Sequence, residues 1–182
     1  MNEQLIGQGF FHLEKDDEIW GFDRRWTVFS NVVWVNITDR LIDLLGPVAK
    51  RQIYEVGFSS GLLAGQKIRP HFGGGFEQFK SHVNLSHAMG WGSYTFMEYN
   101  EESSEIVMES PNMWEAEGYR ELHPKETSSF PRCLMSAGIA AGAAQAAMDI
   151  SYECEEELCI SKGDRTCRFI LNPSGDAKKV IR

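Results

Sequence analysis

Glu153-Cys154-Glu155-Glu156-Glu157-Leu158-Cys159-Ile160-Ser161-Lys162-Gly163-Asp164-Arg165-Thr166-Cys167 is the stretch on which the fold turns. Two β-like runs, Ile150 to Cys154 and Thr166 to Leu171, flank a glycine turn within it. A hairpin turning about Gly163 sets Cys159 and Cys167, equidistant from that glycine, opposite one another on antiparallel strands. Opposed residues have Cβ atoms about 4.5–5.5 Å apart, and zinc holds thiolate sulfur at about 2.3 Å. Both sulfurs therefore reach one ion. The same placement also permits a disulfide, which a reducing compartment opposes, and the neighbouring carboxylates favour a cation.

A third ligand is available in Cys133, which precedes the run Leu134 to Met148; a thiol in the first turn of a helix is acidified by the helix dipole. The fourth is a glutamate. Strict alternation places Glu155 and Glu157 on the face of Cys159 and sends Glu156 the other way, unless a bulge intervenes. Parity alone prefers Glu157.

Working back from the hairpin, Ser128 or Ser129 with Pro131 marks the start of an alanine-rich helix ending near Met148, whose Gly138 and Gly142 give it a small-residue face. That face suits tight packing in a core, with a ligand-cavity wall as the alternative. Gly57, Gly61 and Gly65 recur at intervals of four on an earlier helix beginning at Pro47, a second bare stripe that predicts close helix packing. Arg69-Pro70 and Gly73-Gly74-Gly75 break that helix. Phe76, Phe79, Val83 and His87 follow at helical spacing until Gly90-Trp91-Gly92.

Between these helices and the alanine-rich one, Ser93 to Tyr99 and Glu105 to Glu109 read as a hairpin, and Met113 to Leu122 as a short amphipathic helix. The acidic run Glu98, Glu101, Glu102 and Glu105 falls at the hairpin tip, a solvated position. At the start of the chain, Phe10 to Leu13, Ile19 to Phe22 and Trp26 to Phe29 alternate with turn residues and predict a three-stranded meander. Ser30 or Asn31 then caps a helix carrying Trp34, Ile37, Leu41, Leu44 and Leu45, stopped by Gly46.

The chain has 182 residues, 42 % of them apolar and 12 % aromatic, enough for one packed domain and too many for a disordered chain. With 18 Lys and Arg against 26 Asp and Glu, the net charge of −8 opposes direct nucleic-acid binding. No apolar run spans a bilayer, and the N-terminus lacks the basic start and apolar stretch of a secretory signal. A cytoplasmic location with no membrane association is the expectation. The four cysteines all fall in the C-terminal third, an arrangement that suggests thiol or metal chemistry more than a disulfide scaffold.

The pattern Glu156-x-x-Cys159-x-x-x-Gly163-x-x-x-Cys167-x-Phe169, with Pro131-Arg132-Cys133 and the Gly138 to Gly142 helix upstream, resembles the signature of the 4-vinyl reductase domain. Leu41-Ile42-Asp43-Leu44-Leu45-Gly46 and Gly57-Phe58-Ser59-Ser60-Gly61 are similar to the segment preceding that domain in aromatic-sensing activators of the XylR, DmpR and MopR type. The resemblance implies an α+β fold in which an antiparallel sheet packs with helices, related to predicted archaeal hydrocarbon-binding proteins and to trafficking-complex subunits. It divides the chain into an N-terminal meander and first helix over 1–46, a probable dimerisation segment, a ligand-binding domain over 47–172 and a polar tail over 173–182.

It also implies a structural zinc held by Cys133, Glu156, Cys159 and Cys167, which sets Glu156 against the parity preference, with Glu157 as fallback. A homodimer would hold a small apolar or aromatic molecule between sheet and helices. In the aromatic sensors a histidine and a tryptophan hold a phenolic hydroxyl. His87 is the nearest candidate for the first, with a backbone-paired histidine as the alternative. The tryptophan position falls at Ser110, a departure that leaves Trp114 to supply an aromatic wall. Trp91, Phe96 and Met108 complete the candidate ligand set, each with core packing as its alternative.

No Gly-x-x-x-x-Gly-Lys-Ser/Thr phosphate loop is present, nor length for an ATPase with a DNA-binding domain. The expectation is thus a stand-alone sensory or binding module that signals through a regulatory partner protein, with no catalytic residue assigned. The alternatives are an auxiliary protein or enzyme of vinyl-group reduction in tetrapyrrole synthesis, for which no Gly-x-Gly-x-x-Gly dinucleotide fingerprint is present, and a dimeric assembly scaffold.

Overall fold

The computed structural model describes residues 11–13, 19–21, 24–27 and 30–174. Three short antiparallel strands come first: β1 (Phe11–Leu13), β2 (Ile19–Gly21) and β3 (Arg24–Trp26), in that spatial order. The third strand starts earlier than expected, because Arg25 pairs with Trp20; Val28 and Phe29 lie outside the described residues.

Helix α1 (Asn31–Leu45) begins where the Ser30 hydroxyl accepts the Val33 N–H at 3.4 Å. It ends at Gly46, whose φ of +58° suits a residue without a Cβ. Pro47 opens α2 (Pro47–Phe72), its missing N–H costing nothing in a first turn. Pro70 does not break this helix as expected. It falls in the last turn, and the Arg69 guanidinium ties that turn to the Ala146 carbonyl at 2.8 Å and to the Asp149 carboxylate. Gly73 makes the stop.

Helix α3 (Phe76–Ala88) leads to β4 (Phe96–Tyr99) and β5 (Ile106–Ser110), then α4 (Trp114–Leu122) and α5 (Leu134–Met148). Strand β6 (Tyr152–Leu158), a 3-10 turn over Ile160–Lys162 and β7 (Cys167–Pro173) complete the order. The four later strands form an antiparallel sheet in the order β4-β5-β7-β6, and the class is α+β. The expected tail loses Pro173 to this sheet, where it pairs with Tyr152, and residues 175–182 lie outside the described ones.

The two glycine stripes meet. A Cβ on Gly57 or Gly61 would stand 2.2 Å from the Met135 carbonyl oxygen or 2.1 Å from that of Ile139. From the other side, one on Gly138 or Gly142 would stand 2.1 Å from the Tyr54 oxygen or 2.0 Å from that of Phe58. Backbone therefore lies on backbone along the α2–α5 seam, and any side chain there would force the helices apart. With α2 on one side of α5 and the sheet on the other, Phe79, Met108 and Phe169 fill the space toward the sheet, each at most 1 % exposed. In contrast, Val33, Ile37, Leu41 and Leu44 leave an apolar stripe of α1 in solvent, Leu44 79 % exposed.

Candidate functional site

The β6–β7 hairpin changes register once. From Tyr152 to Glu156 each residue pairs in one frame, whereas Leu158 pairs with Arg168 in the next, which leaves Glu157 as the bulged residue. This single extra residue reverses the parity argument: Glu156 joins the face of Cys159, and Glu157 turns outward beside Arg168, its carboxylate 3.4 Å from Nε.

Cys133, the N-cap of α5, meets Glu156, Cys159 and Cys167 with all four ligand atoms within 4.8 Å of one another. All four are buried, the cysteines wholly and Glu156 to 7 % exposure. Sγ of Cys167 is 3.7 Å from that of Cys133 and 4.0 Å from that of Cys159, too long for a disulfide. Four ligands at about 2.3 Å from a tetrahedral centre lie roughly 3.8 Å apart, so the spacing of the sulfurs suits one ion.

Backbone donors surround this group. Arg132 N–H and Ile160 N–H each donate to a sulfur at 3.4 Å, Cys159 and Cys167 respectively, and Cys133 N–H donates to Glu156 Oε2 at 2.9 Å. The Glu156 Oε1 is buried with no hydrogen-bond partner, a costly state for a carboxylate oxygen unless a cation takes it.

The electrostatics agree. Hydrogen bonds from Cys133 and Cys167 draw the Cys159 thiol down, so the negative charge settles there. Burial then pushes Glu156 up to about 9, with the Cys159 charge adding to it, and burial also raises Cys133. For Cys167 the bond with Cys133 works downward, but the bond with Cys159 and burial prevail. Four acids in one dry pocket tolerate a single charge, and a divalent cation is what lets all four ionise together. The expected acidification of Cys133 by its helix is corrected: loss of water outweighs the dipole at a fully enclosed thiol.

The loop before Cys133 is held from α1. Arg132 pairs with Asp39 at 2.5 Å, donates to Ser128 Oγ at 2.7 Å and stacks on Phe130 and Tyr119. His123 reaches the other Asp39 oxygen at 2.8 Å. The start of α5 has a second anchor that the sequence reading missed. Glu115, 2 % exposed, accepts from the N–H groups of Met135 at 3.2 Å and Ser136 at 2.9 Å, and from the Trp34 indole at 3.3 Å. Burial pushes its carboxyl up to about 7 against those hydrogen bonds. No local signal announces this cap, since its partners lie about twenty residues away in sequence.

The six expected ligand residues do not line one cavity. His87 is exposed, bonded through Nδ1 to the Gly92 carbonyl at 3.1 Å, and with Phe96 borders a hollow of about 260 Å³. Trp91 lines a different hollow of about 330 Å³, between α2 and α3. Met108 is core, and Ser110 is wholly buried with its hydroxyl 3.4 Å from Asn112 Oδ1. Trp114 lies between Trp34 and Trp91, ring centres 6.0 and 5.4 Å away, and donates to Ser136 Oγ at 3.1 Å. The fourth cysteine, Cys154, stands apart from the other three, its N–H donating to the Tyr54 hydroxyl at 3.0 Å.

No protein-family model matches the chain, and no curated protein matches its sequence. Among solved structures, the phenol-responsive sensory domain of the transcription activator PoxR, in a crystal with phenol, superposes with a TM-score of 0.77 at 19 % identity, covering 97 % of this chain and 92 % of that one. Subunit 3 of a trafficking protein particle complex from Naegleria fowleri, covalently bound to palmitic acid, superposes at 0.56 with 14 % identity, over 82 % of this chain and 98 % of that one. A vinyl-4-reductase family protein from Methanocaldococcus jannaschii reaches 0.46 at 16 % identity, over 80 % and 91 %. The chain thus has the fold of the PoxR sensory domain. No helix among the described residues is long and apolar enough to cross a membrane.

Proposed function

We propose that this protein is a sensory or binding domain for a small apolar or aromatic molecule, built around a structural zinc and acting through a regulatory partner. The observation that carries the reading is the buried set of three thiols and one carboxylate on a fold shared with the PoxR domain. Cys133, Glu156, Cys159 and Cys167 would hold the ion with four protein ligands and no place for a reactive water, the arrangement of structural zinc sites. When bound, zinc supplies cross-linking of α5 to the β6–β7 hairpin. The chain's own residues do the rest: the Arg132 and Ile160 amides offset the thiolate charge, and the Asp39–Arg132 pair holds the loop that carries Cys133.

Segment 1–46 is proposed as the dimerisation segment and 47–172 as the ligand-binding domain. The exposed stripe of Val33, Ile37, Leu41 and Leu44 supports a homodimer, since packing against a second copy would remove it from water. We place the protein in the cytoplasm, where reduced thiols stay available to a metal.

Native mass spectrometry of protein purified without chelator tests all of this at once. The expected result is a dimer with one zinc per chain, and a small molecule retained or exchanged for added phenol. A metal-free protein of unchanged thermal stability would overturn the reading.

A further inference from the structure

The hollow between α2 and α3 has walls from Leu63, Ile68, Leu85, Trp91 and Ile139, and none from β4–β7. The space toward the sheet, where the ligand was expected, holds Phe79, Met108 and Phe169 instead. One polar ring faces this greasy hollow: His82, 8 % exposed, whose imidazole has no hydrogen-bond partner among the described residues. An imidazole kept from water without a partner costs roughly 1–3 kcal/mol, so a ligand that bonds it recovers that loss.

Charge narrows the ligand. Lys67 and Arg25 line the same hollow, and no Asp or Glu does. A hydrocarbon would leave His82 unbonded. A phenol would bond it and draw little from the two cations. A carboxylate accepts from the imidazole N–H and lies in the field of both. A space of about 330 Å³ suits a single ring with a short substituent.

We propose that this hollow binds a monocyclic, apolar carboxylate, its ring against Trp91 and its acid group at His82. The assignment rests on the reading of the protein as a small-molecule binding domain and names where and what it binds. Burial lowers the His82 ring to about 4, so at neutral pH it is uncharged and keeps one N–H to donate. Residues on facing elements that carry charge are Lys67 on α2 and Arg25 on β3.

Calorimetric titration of the full chain with benzoate, phenol and toluene, zinc content measured on the same samples, tests it. Benzoate should bind about tenfold more tightly than phenol. Ala64→Phe or Leu63→Trp, both at partly exposed wall positions, should abolish benzoate binding at unchanged zinc content. Lys67→Ala should weaken benzoate about fivefold and leave phenol unchanged. Benzoate binding that survives both filling variants overturns the site, and phenol or toluene binding as tight as benzoate overturns the ligand class; in either case the sensory reading stands. Failure of all three compounds to bind overturns both.

Discussion

Helix α5 is held in two unlike ways. Along its length, the seam with α2 works by absence: at Gly57, Gly61, Gly138 and Gly142 there is no atom where one would collide with a carbonyl oxygen. At its first turn, the thiol–carboxylate cluster and Glu115 work by presence, through directed contacts with particular atoms. The seam tolerates nothing larger and is indifferent to chemistry; the first turn needs its chemistry and has room for little else. Breaking one should therefore produce a different failure from breaking the other.

The largest effect is expected at the seam. Gly142→Val would set a side chain 2.0 Å from the Phe58 oxygen and 2.6 Å from the Leu62 nitrogen; a loss of about 5 kcal/mol or more follows, enough to remove the folded state. Denaturant titration and soluble yield measure it, and added zinc should not rescue it. Cys159→Ala comes next, with loss of bound metal and about 4 kcal/mol, a fraction of what zinc contributes to small fingers. Metal analysis with a melting curve reads both, and wild-type protein treated with chelator should copy the variant.

Glu115 sharpens the contrast through pH. Its carboxyl is raised to about 7 in the fold from an ordinary 4.5, so the stability it contributes is complete below about pH 4.5 and is lost as pH rises through 7. Up to about 3 kcal/mol should be lost on this account by pH 8, and Glu115→Gln should flatten that slope in urea titrations at successive pH values. The smallest effect is Arg132→Ala, about 1–2 kcal/mol given partly exposed partners. Its informative readout is a faster loss of zinc to a chromogenic chelator, because the loop bearing Cys133 is no longer tied to Asp39.

What the sequence disclosed follows from the same division. The glycine stripes, the Ser30 cap, the Gly46 stop and the Gly163 turn are local rules, legible because geometry alone decides them. The register near Cys159 needed more: parity named Glu157, and only the bulge, which nearby residues do not encode in any simple way, brings Glu156 inward. Pro70 sits in α2 because tertiary contacts of Arg69 hold the last turn. The hollow's walls come from helices far apart in sequence, and so His87 drew attention where His82 is the enclosed one. A signal was available, for His82 lies between Phe79 and Ser86 at helical spacing on the buried face of α3.

The bulged residue in β6 gives an ion at this place a proofreading role. A hairpin annealed one residue out of step would offer Glu157 or an outward carboxylate in place of Glu156, and the coordination set would stay incomplete. Uptake of the cation would then discriminate the correct alignment of two strands from its near neighbour, making metallation a checkpoint on assembly as well as a brace for the finished molecule.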